Sequence, residues 1–171
     1  GGDGQPLISD SHPIIPQSGG PSVYSNQLTT PAALSQTSLE QMLIQIRNAY
    51  DDTGRRIRLV PKKIVGGPSQ VFQAEVLLKS VLRAGSANND INPVKSMGML
   101  ADGQANLSRI TSTTAWWIQT DAPRGLQLLM RRKLDKSMEG DFETDSMRYK
   151  STERYIPGWT NARTLYGTPG M

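Results

Sequence analysis

The sequence contains no cysteine and a single histidine, His12, among its 171 residues. A chain without thiols has no disulfide, no thiol nucleophile, no iron–sulfur cluster and no zinc site built on thiolate ligands. One histidine cannot supply a metal site in their place. We therefore expect no metal, no cofactor and no catalytic residues that depend on these groups.

Long apolar runs are also missing. No segment approaches the roughly 18 apolar residues that a membrane-spanning helix needs, and the first residues, GGDGQPLISD, lack the basic start and apolar stretch of a signal peptide. We expect a soluble chain with no membrane partner. Because the sequence does not begin with Met, we also expect it to be a piece of a longer protein.

Motifs of the common enzyme classes are absent, including G-x-S-x-G, H-E-x-x-H and G-x-x-x-x-G-K-[ST]. Asp10, Ser11 and His12 are the residue types of a hydrolase triad, but adjacent positions point in different directions, so we interpret them as a turn. Residues 66–69 precede a helix and could bind phosphate. Pro68 removes one of the amides, which favours a simple helix-start turn. We predict that the protein is not an enzyme.

Four carboxylates recur at every second position near residue 140. On a strand they would lie on one side and could bind a hard cation. Gly140 and the scarcity of strand-forming residues around it favour a solvated acidic loop instead. The four residues are Glu139, Asp141, Glu143 and Asp145.

The composition is typical of a folded but loop-rich chain, with 36% hydrophobic residues, 16 Gly and 11 Pro. Residues 1–34 hold much of the Gly and Pro and predict an extended loop segment. The formal net charge of +4 is a mild basic bias, which permits anionic partners without requiring them.

Two segments show the apolar spacing of amphipathic helices. Residues 38–50 follow this spacing after a serine- and threonine-rich start that suits a capping box, and Gly54 suits a left-handed stop. Residues 68–83 repeat the pattern, with Pro68 in the first turn and Gly85 after the last.

The remaining segments read as strands or loops. Residues 56–60 alternate apolar and basic side chains and predict a short strand before Pro61. Residues 85–112 predict a long loop or weak strands, because turn-forming residues interrupt the short apolar pieces.

The last third of the chain predicts strands. Residues 113–120 are β-branched and aromatic, and the turn at 121–124 suggests a hairpin with residues 125–131. Residues 146–156 form the longest alternating run. The order of elements predicts an α+β fold with a mixed sheet and flanking helices, in which pairing is largely antiparallel near the end.

Five basic residues and no acidic one lie between positions 55 and 63. Such a cluster can follow a phosphate backbone, although no aromatic residue is interleaved to stack on bases and basic runs usually solvate a strand face. A basic nucleic-acid-binding module therefore remains the alternative function. The five residues are Arg55, Arg56, Arg58, Lys62 and Lys63.

The 146–156 strand places three basic residues on one face, opposite Met147 and Tyr149. Like charges in a row repel unless carboxylates face them, so this face needs an acidic partner, either residues 139–145 or another subunit. The aromatic and arginine residues that follow suit interface anchors or packing of the chain end onto its own domain. The predicted assembly-interface residues are Arg148, Lys150, Arg154, Trp159, Arg163 and Tyr166.

The stretch at 146–167, SMRYKSTERYIPGWTNARTLYG, resembles the C-terminal segment of the major capsid proteins of tailed bacteriophages, which have the Hong Kong-type capsid fold. In many of these proteins a long strand ends in an aromatic residue and is followed by Gly-Trp, Arg and Tyr-Gly. The corresponding residues here are Tyr155, Gly158, Trp159, Arg163, Tyr166 and Gly167.

Six further segments are similar, in the same order, to the Mu-like branch of major head subunits, so the resemblance spans almost the whole chain. They are LISDSHP at 7–13, YSNQ at 24–27, LSQTSLEQML at 34–43, GRRIRLVPKKIV at 54–65, NNDINPVKS at 88–96 and TAWWIQTD at 114–121.

The resemblance implies a structural subunit without an active site. Its copies would self-assemble as pentamers and hexamers into the icosahedral shell around the double-stranded DNA of a tailed phage or prophage. Scaffold, portal or decoration proteins and non-specific contact with packaged DNA are further implied partners. The implied location is the virion, after assembly in the bacterial host cytoplasm.

The resemblance also implies a division of the chain. A loop segment at 1–34 would precede an axial-type α+β domain at 35–137. Residues 138–171 would form the return strand and C-terminal tail of the peripheral-type domain. The N-terminal arm, the extended loop and the spine helix of the family are expected to lie outside this chain.

Overall fold

The computed structural model describes residues 3–16, 21–83 and 90–170. They form an α+β fold in which a four-stranded mixed sheet packs against helices and a separate long hairpin extends from it. Across these ranges, no helix combines the length and the hydropathy that crossing a membrane requires.

The first helix, α1 (Gln36–Arg47), confirms the helix predicted at 38–50 and begins two residues earlier. Ser35 is its N-cap. The Ser35 hydroxyl accepts the Ser38 backbone N–H at 3.2 Å, and the Ser38 hydroxyl accepts the Ser35 N–H at 2.9 Å, which is a capping box. Gly54, the expected stop, lies beyond the helix in a turn with φ of 79°. The helix buries Leu39, Met42, Leu43 and Ile46.

The prediction of a strand at residues 56–60 is wrong. Only Arg56 makes a bridge there, to Tyr50, and the regular strand β3 follows at Pro61–Gly66. Proline is tolerated at the first position of a strand, where the missing N–H interrupts little of the ladder. Pro61 therefore starts the strand that it was expected to end.

The helix predicted at 68–83 is confirmed in its first part. A 3-10 turn at Pro68–Gln70 leads into α2 (Val71–Lys79), as the predicted helix-start turn requires. Ser80 leaves helical geometry with ψ of 134°, so α2 ends four residues before the prediction. The expected stop, Gly85, lies outside the described residues.

Two short elements occupy the region predicted as loop or weak strands. The helix α3 (Pro93–Ser96) begins after Asn92, whose side chain accepts the Val94 N–H at 3.1 Å. The strand β4 (Gln104–Asn106) then pairs in parallel with β3.

The sheet is completed by β5 (Trp116–Thr120) and by β8 (Leu165–Thr168), the last strand of the chain, in the order β4–β3–β5–β8. Trp116 and Ile118 of β5 are fully buried beneath α1, and the Trp116 indole donates to the Ala32 carbonyl at 3.0 Å. The core therefore lies between the helices and one face of this sheet.

The prediction that residues 113–120 and 125–131 form a hairpin is wrong. The strand β6 (Leu126–Asp141) pairs instead with β7 (Ser146–Trp159) in antiparallel register. β7 confirms the long strand predicted at 146–156 and extends it to Trp159. The expected division between residues 137 and 138 falls within β6.

The N-terminal region contains two two-residue strands, β1 (His12–Pro13) and β2 (Val23–Tyr24), which pair with each other. His12 is fully buried, and its Nδ1 lies 2.7 Å from an oxygen of Asp3. Its Nε2 lies 3.2 Å from Asn26 Oδ1. The polar contacts of the His12 ring are therefore with Asp3 and Asn26 and not with the adjacent Asp10 and Ser11.

Candidate interaction surface

Among the described elements, the β6–β7 hairpin is the longest, and it is exposed along most of both strands. At about 3.3 Å per residue, its 16-residue strand extends roughly 50 Å. Among the described strands, β6 and β7 pair only with each other. Both outer edges therefore present unpaired N–H and C=O groups, which can pair with another chain.

One face of this hairpin carries two groups of exposed apolar side chains, which Lys136, Ser151 and Glu153 separate. Residues that lie directly opposite in the register share a face, and the register pairs Met138 with Tyr149 and Met130 with Tyr155. Tyr149 is 77% exposed, and the other members are about half exposed or more. We call this set the apolar face; it comprises Leu126, Leu128, Met130, Met138, Met147, Tyr149 and Tyr155.

The opposite face carries charge of both signs. Arg148 Nη2 lies 2.6 Å from Asp141 Oδ2, so the acidic partner expected for this strand is supplied by the same chain at this position. Arg154 lies opposite Arg132 in the register, and like charges that face each other are unfavourable. We call this set the polar face; it comprises Arg132, Asp135, Glu139, Asp141, Arg148, Lys150 and Arg154.

Two of the predicted interface residues on this face lack a direct ion pair. Lys150 and Arg154 are exposed and make no ion pair within the part of the chain that the structure describes. Their positive charge is therefore available to an acidic group from outside the chain.

The predicted acidic loop is confirmed in part. Glu139 and Asp141 belong to β6, whereas Glu143 and Asp145 lie in the turn at 142–145 that joins β6 to β7. Among the described residues, no group of three or more His, Asp or Glu side chains is placed to bind a metal ion.

The other three predicted interface residues lie inside the chain or against it. Arg163 is 6% exposed; its Nη1 donates to Asp52 at 2.8 Å, and its guanidinium lies 4.2 Å from the Tyr24 ring centroid. Tyr166 is 1% exposed, and burial raises the pKa of its hydroxyl well above the ordinary value. Trp159 is half-buried with its ring edge-on to the buried histidine. These residues pack the chain end onto its own domain, the alternative raised above.

The basic run at 55–63 does not form one strand face. Lys62 and Lys63 are half-buried in β3, whereas Arg56 and Arg58 are exposed in the preceding irregular segment. These two arginines line a groove of about 590 Å³ together with Arg47 from the end of α1. Sequence reasoning missed Arg47, because it lies outside the run and only the fold places it beside the other two.

The groove combines charge with apolar surface. We call it the basic groove and define it by Arg47, Arg56, Arg58, Met97 and Met99. It adjoins an apolar cleft of about 330 Å³, whose walls include Ile44. No carboxylate of the described residues lines the groove, and one, from Glu40, lines the cleft.

No protein-family model and no curated protein matches this sequence. Among solved structures, the chain is similar to the virus-like particle from Pyrococcus furiosus, with a TM-score of 0.44 and 10% sequence identity. The similarity covers 83% of this chain and 55% of that one, so this chain spans about half the length of that protein. A similarity at this level carries no argument about function.

Proposed function

We propose that the chain is part of a capsid subunit, a major head protein of a tailed phage or prophage that self-assembles into an icosahedral shell around double-stranded DNA. The observation that carries the proposal is the apolar face of the hairpin. The collinear resemblance of the sequence to Mu-like major head subunits supports it.

The apolar face needs a covering surface. Soluble monomers rarely expose contiguous apolar patches of more than a few hundred square ångströms, and larger patches mark interfaces. Each large side chain of this kind contributes about 1.5–3 kcal/mol when it is fully buried. The seven side chains lie in two groups, one near the tip of the hairpin and one near its base, and burying both groups against further copies would favour association.

The proposed partners are copies of the same protein, arranged as pentamers and hexamers in the virion shell. The polar face favours an ordered arrangement, because Lys150 and Arg154 attract carboxylates of a neighbouring copy. Scaffold, portal and decoration proteins and the packaged DNA are further proposed partners, with assembly in the host cytoplasm. No enzymatic step is part of this function.

The test is a substitution on the apolar face of the full-length protein, expressed with its natural head-assembly partners. Tyr149→Glu places a charge where the proposal requires burial, whereas the matched control Tyr149→Phe keeps the ring. We expect sedimentation to show large assemblies for the wild type and the control and a strong loss of them for Tyr149→Glu. Assembly of Tyr149→Glu at the wild-type level would contradict the proposal.

A second candidate function, the basic nucleic-acid-binding module, is favoured by the exposure of Arg56 and Arg58. Binding through phosphate contacts weakens steeply as salt rises, because condensed counterions are released. This candidate therefore predicts DNA binding at low salt that Arg56→Ala and Arg58→Ala each weaken. Absent or salt-independent binding would exclude it.

A further inference from the structure

The tip of the β6–β7 hairpin exposes a lone aromatic residue among carboxylates. Phe142 has 102% relative exposure, so its ring does not pack against any residue that the structure describes. Asp141 precedes it, and Glu143 and Asp145 follow it in the turn. Glu143 and Asp145 form no ion pair with any residue that the structure describes. We call residues 141–145 the acidic tip.

The basic groove has the opposite character. Arg47 and Arg58 form no ion pair within the described ranges, and Arg56 donates only to Asn48, at 3.2 Å, and lies over the Tyr50 ring. Three positive charges therefore border one groove, and the carboxylate of Glu40 lines the adjoining cleft.

Apolar surface lies directly beside these charges. Met97 is 59% exposed and Ile44 is 60% exposed, and Met97, Met99 and Arg47 border both the groove and the adjoining cleft. Methionine side chains adapt their shape to an aromatic ring and make favourable contacts between sulfur and the ring. The combined surface thus offers an apolar cleft next to a cluster of arginines.

We propose that the acidic tip of one copy docks in the basic groove of a second copy. Phe142 occupies the apolar cleft, and Glu143 and Asp145 pair with the arginines of the groove. This inference rests on the proposed self-assembly and names the surfaces that meet in it.

The charge and the apolar surface of the acidic tip complement those of the basic groove and its cleft, which favours a second copy over nucleic acid. The acidic tip places an aromatic ring between carboxylates, and the groove places an apolar cleft beside arginines. A phosphate backbone would satisfy the arginines but would leave Ile44 and Met97 uncovered. The tip and the groove are different surfaces, so their contact is head-to-tail, which forms a closed ring when the rotation between neighbouring copies closes.

Cysteine crosslinking tests the contact directly, because this chain contributes no native thiol. Thr144→Cys is introduced in the tip of one preparation of the full-length protein, and Met97→Cys in the groove of a second preparation that carries a size tag. Each variant carries one introduced thiol within this chain, so a disulfide between introduced thiols joins two molecules, and after mixing and mild oxidation the tag distinguishes the tip–groove heterodimer from both homodimers by size. The control pairs Thr144→Cys with Phe72→Cys, at a site that is 83% exposed on α2.

We expect the tip–groove pair to give several-fold more heterodimer than the control pair. Adding Phe142→Ala or Arg58→Glu should reduce that yield to the control level without changing the thermal unfolding of the protein. Arg58→Glu should regain crosslinking when the partner carries Glu143→Arg, because the swap restores opposite charges. A yield equal to the control would overturn the inference.

The outcomes separate this inference from the proposed function. Shells that form without tip–groove crosslinks would overturn the inference alone, whereas crosslinked rings or dimers without shells would support it and count against a capsid. DNA binding that depends on Arg58, together with crosslinking at the control level, would assign the groove to nucleic acid and overturn the inference.

Discussion

Asn26 connects the two ends of the chain through a buried side-chain amide. Its Nδ2 donates to the carbonyls of Leu7 at 2.6 Å, Ala162 at 3.0 Å and Leu165 at 2.9 Å, and its Oδ1 accepts the Ser9 N–H at 2.8 Å. Replacing it with Ala leaves several buried polar groups without partners. We therefore expect Asn26→Ala to lower the free energy of unfolding by about 3 kcal/mol, measured by urea denaturation.

The control for this substitution is Asn106→Ala. Asn106 is exposed at the end of β4, so the same chemical change there should alter the free energy of unfolding by only a few tenths of a kcal/mol. Equal losses for the two variants would show that the buried amide contributes nothing special to the packing of the chain ends.

Asp3 makes the stability of the same region depend on pH. Burial acts to raise the pKa of this carboxyl, but the hydrogen bonds with the His12 ring and with the Gln5 N–H outweigh it, so the pKa lies below 3.8. A lowered carboxyl pKa stabilises the fold above the ordinary pKa, and this contribution is lost as the pH falls through the lowered value.

The expected result is a steeper fall in stability for the wild type than for Asp3→Asn between about pH 5 and pH 2. Urea denaturation across this range measures the difference, with the two proteins converging at the acid end. Parallel curves for the two proteins would contradict the assignment.

At the level of elements, Gly167 fixes how closely β8 packs. A Cβ at this position would overlap the Trp117 ring and lie 2.7 Å from the Trp116 carbonyl oxygen, whereas a Cβ at Gly158 in β7 would meet nothing within 4 Å. Overpacking of this kind costs about 1–3 kcal/mol, so Gly167→Ala should lower the unfolding midpoint well below that of Gly158→Ala. Equal midpoints would mean that β8 shifts freely.

The helices were predictable because their signals are local. The apolar spacing and the serine-rich start located α1 to within three residues at either end. The cap itself could not be singled out, because the serine- and threonine-rich start offers several equivalent caps, of which the fold uses Ser35. The end of α2 was missed, since Ser80 carries no strong stop signal.

Strand partners could not be predicted from the same information. Residues 125–131 were predicted as a strand because they follow the turn at 121–124, which made residues 113–120 their nearest candidate partner. The structure pairs β5 with β3 and β8 and pairs β6 with β7. Alternation identifies a strand, but pairing depends on contacts between distant parts of the chain, which periodicity does not encode.

At the level of the whole molecule, the sequence identified the basic residues of the hairpin but not their surroundings. Arg148, Lys150 and Arg154 are exposed as an interface would require, whereas Arg163 and Tyr166 are buried. Residue type alone cannot separate exposed interface residues from buried ones, because arginine and tyrosine occur both at interfaces and in domain interiors. The basic groove is also a product of tertiary structure, since it joins Arg47 to the later run.

The two ends of the molecule suit repeated association. The hairpin presents an apolar face and a negatively charged tip, whereas the rest of the fold presents the positively charged basic groove. A chain with complementary surfaces at different places can add copies head-to-tail and close into rings. This arrangement is the structural basis of the proposed capsid function.

Negative-stain electron microscopy of the purified full-length protein, with intact mass measured on the same sample, shows whether the protein assembles into shells. We predict shells, or rings of five and six copies. Discrete monomers that shift on DNA at low salt would contradict this prediction and would favour the nucleic-acid-binding module.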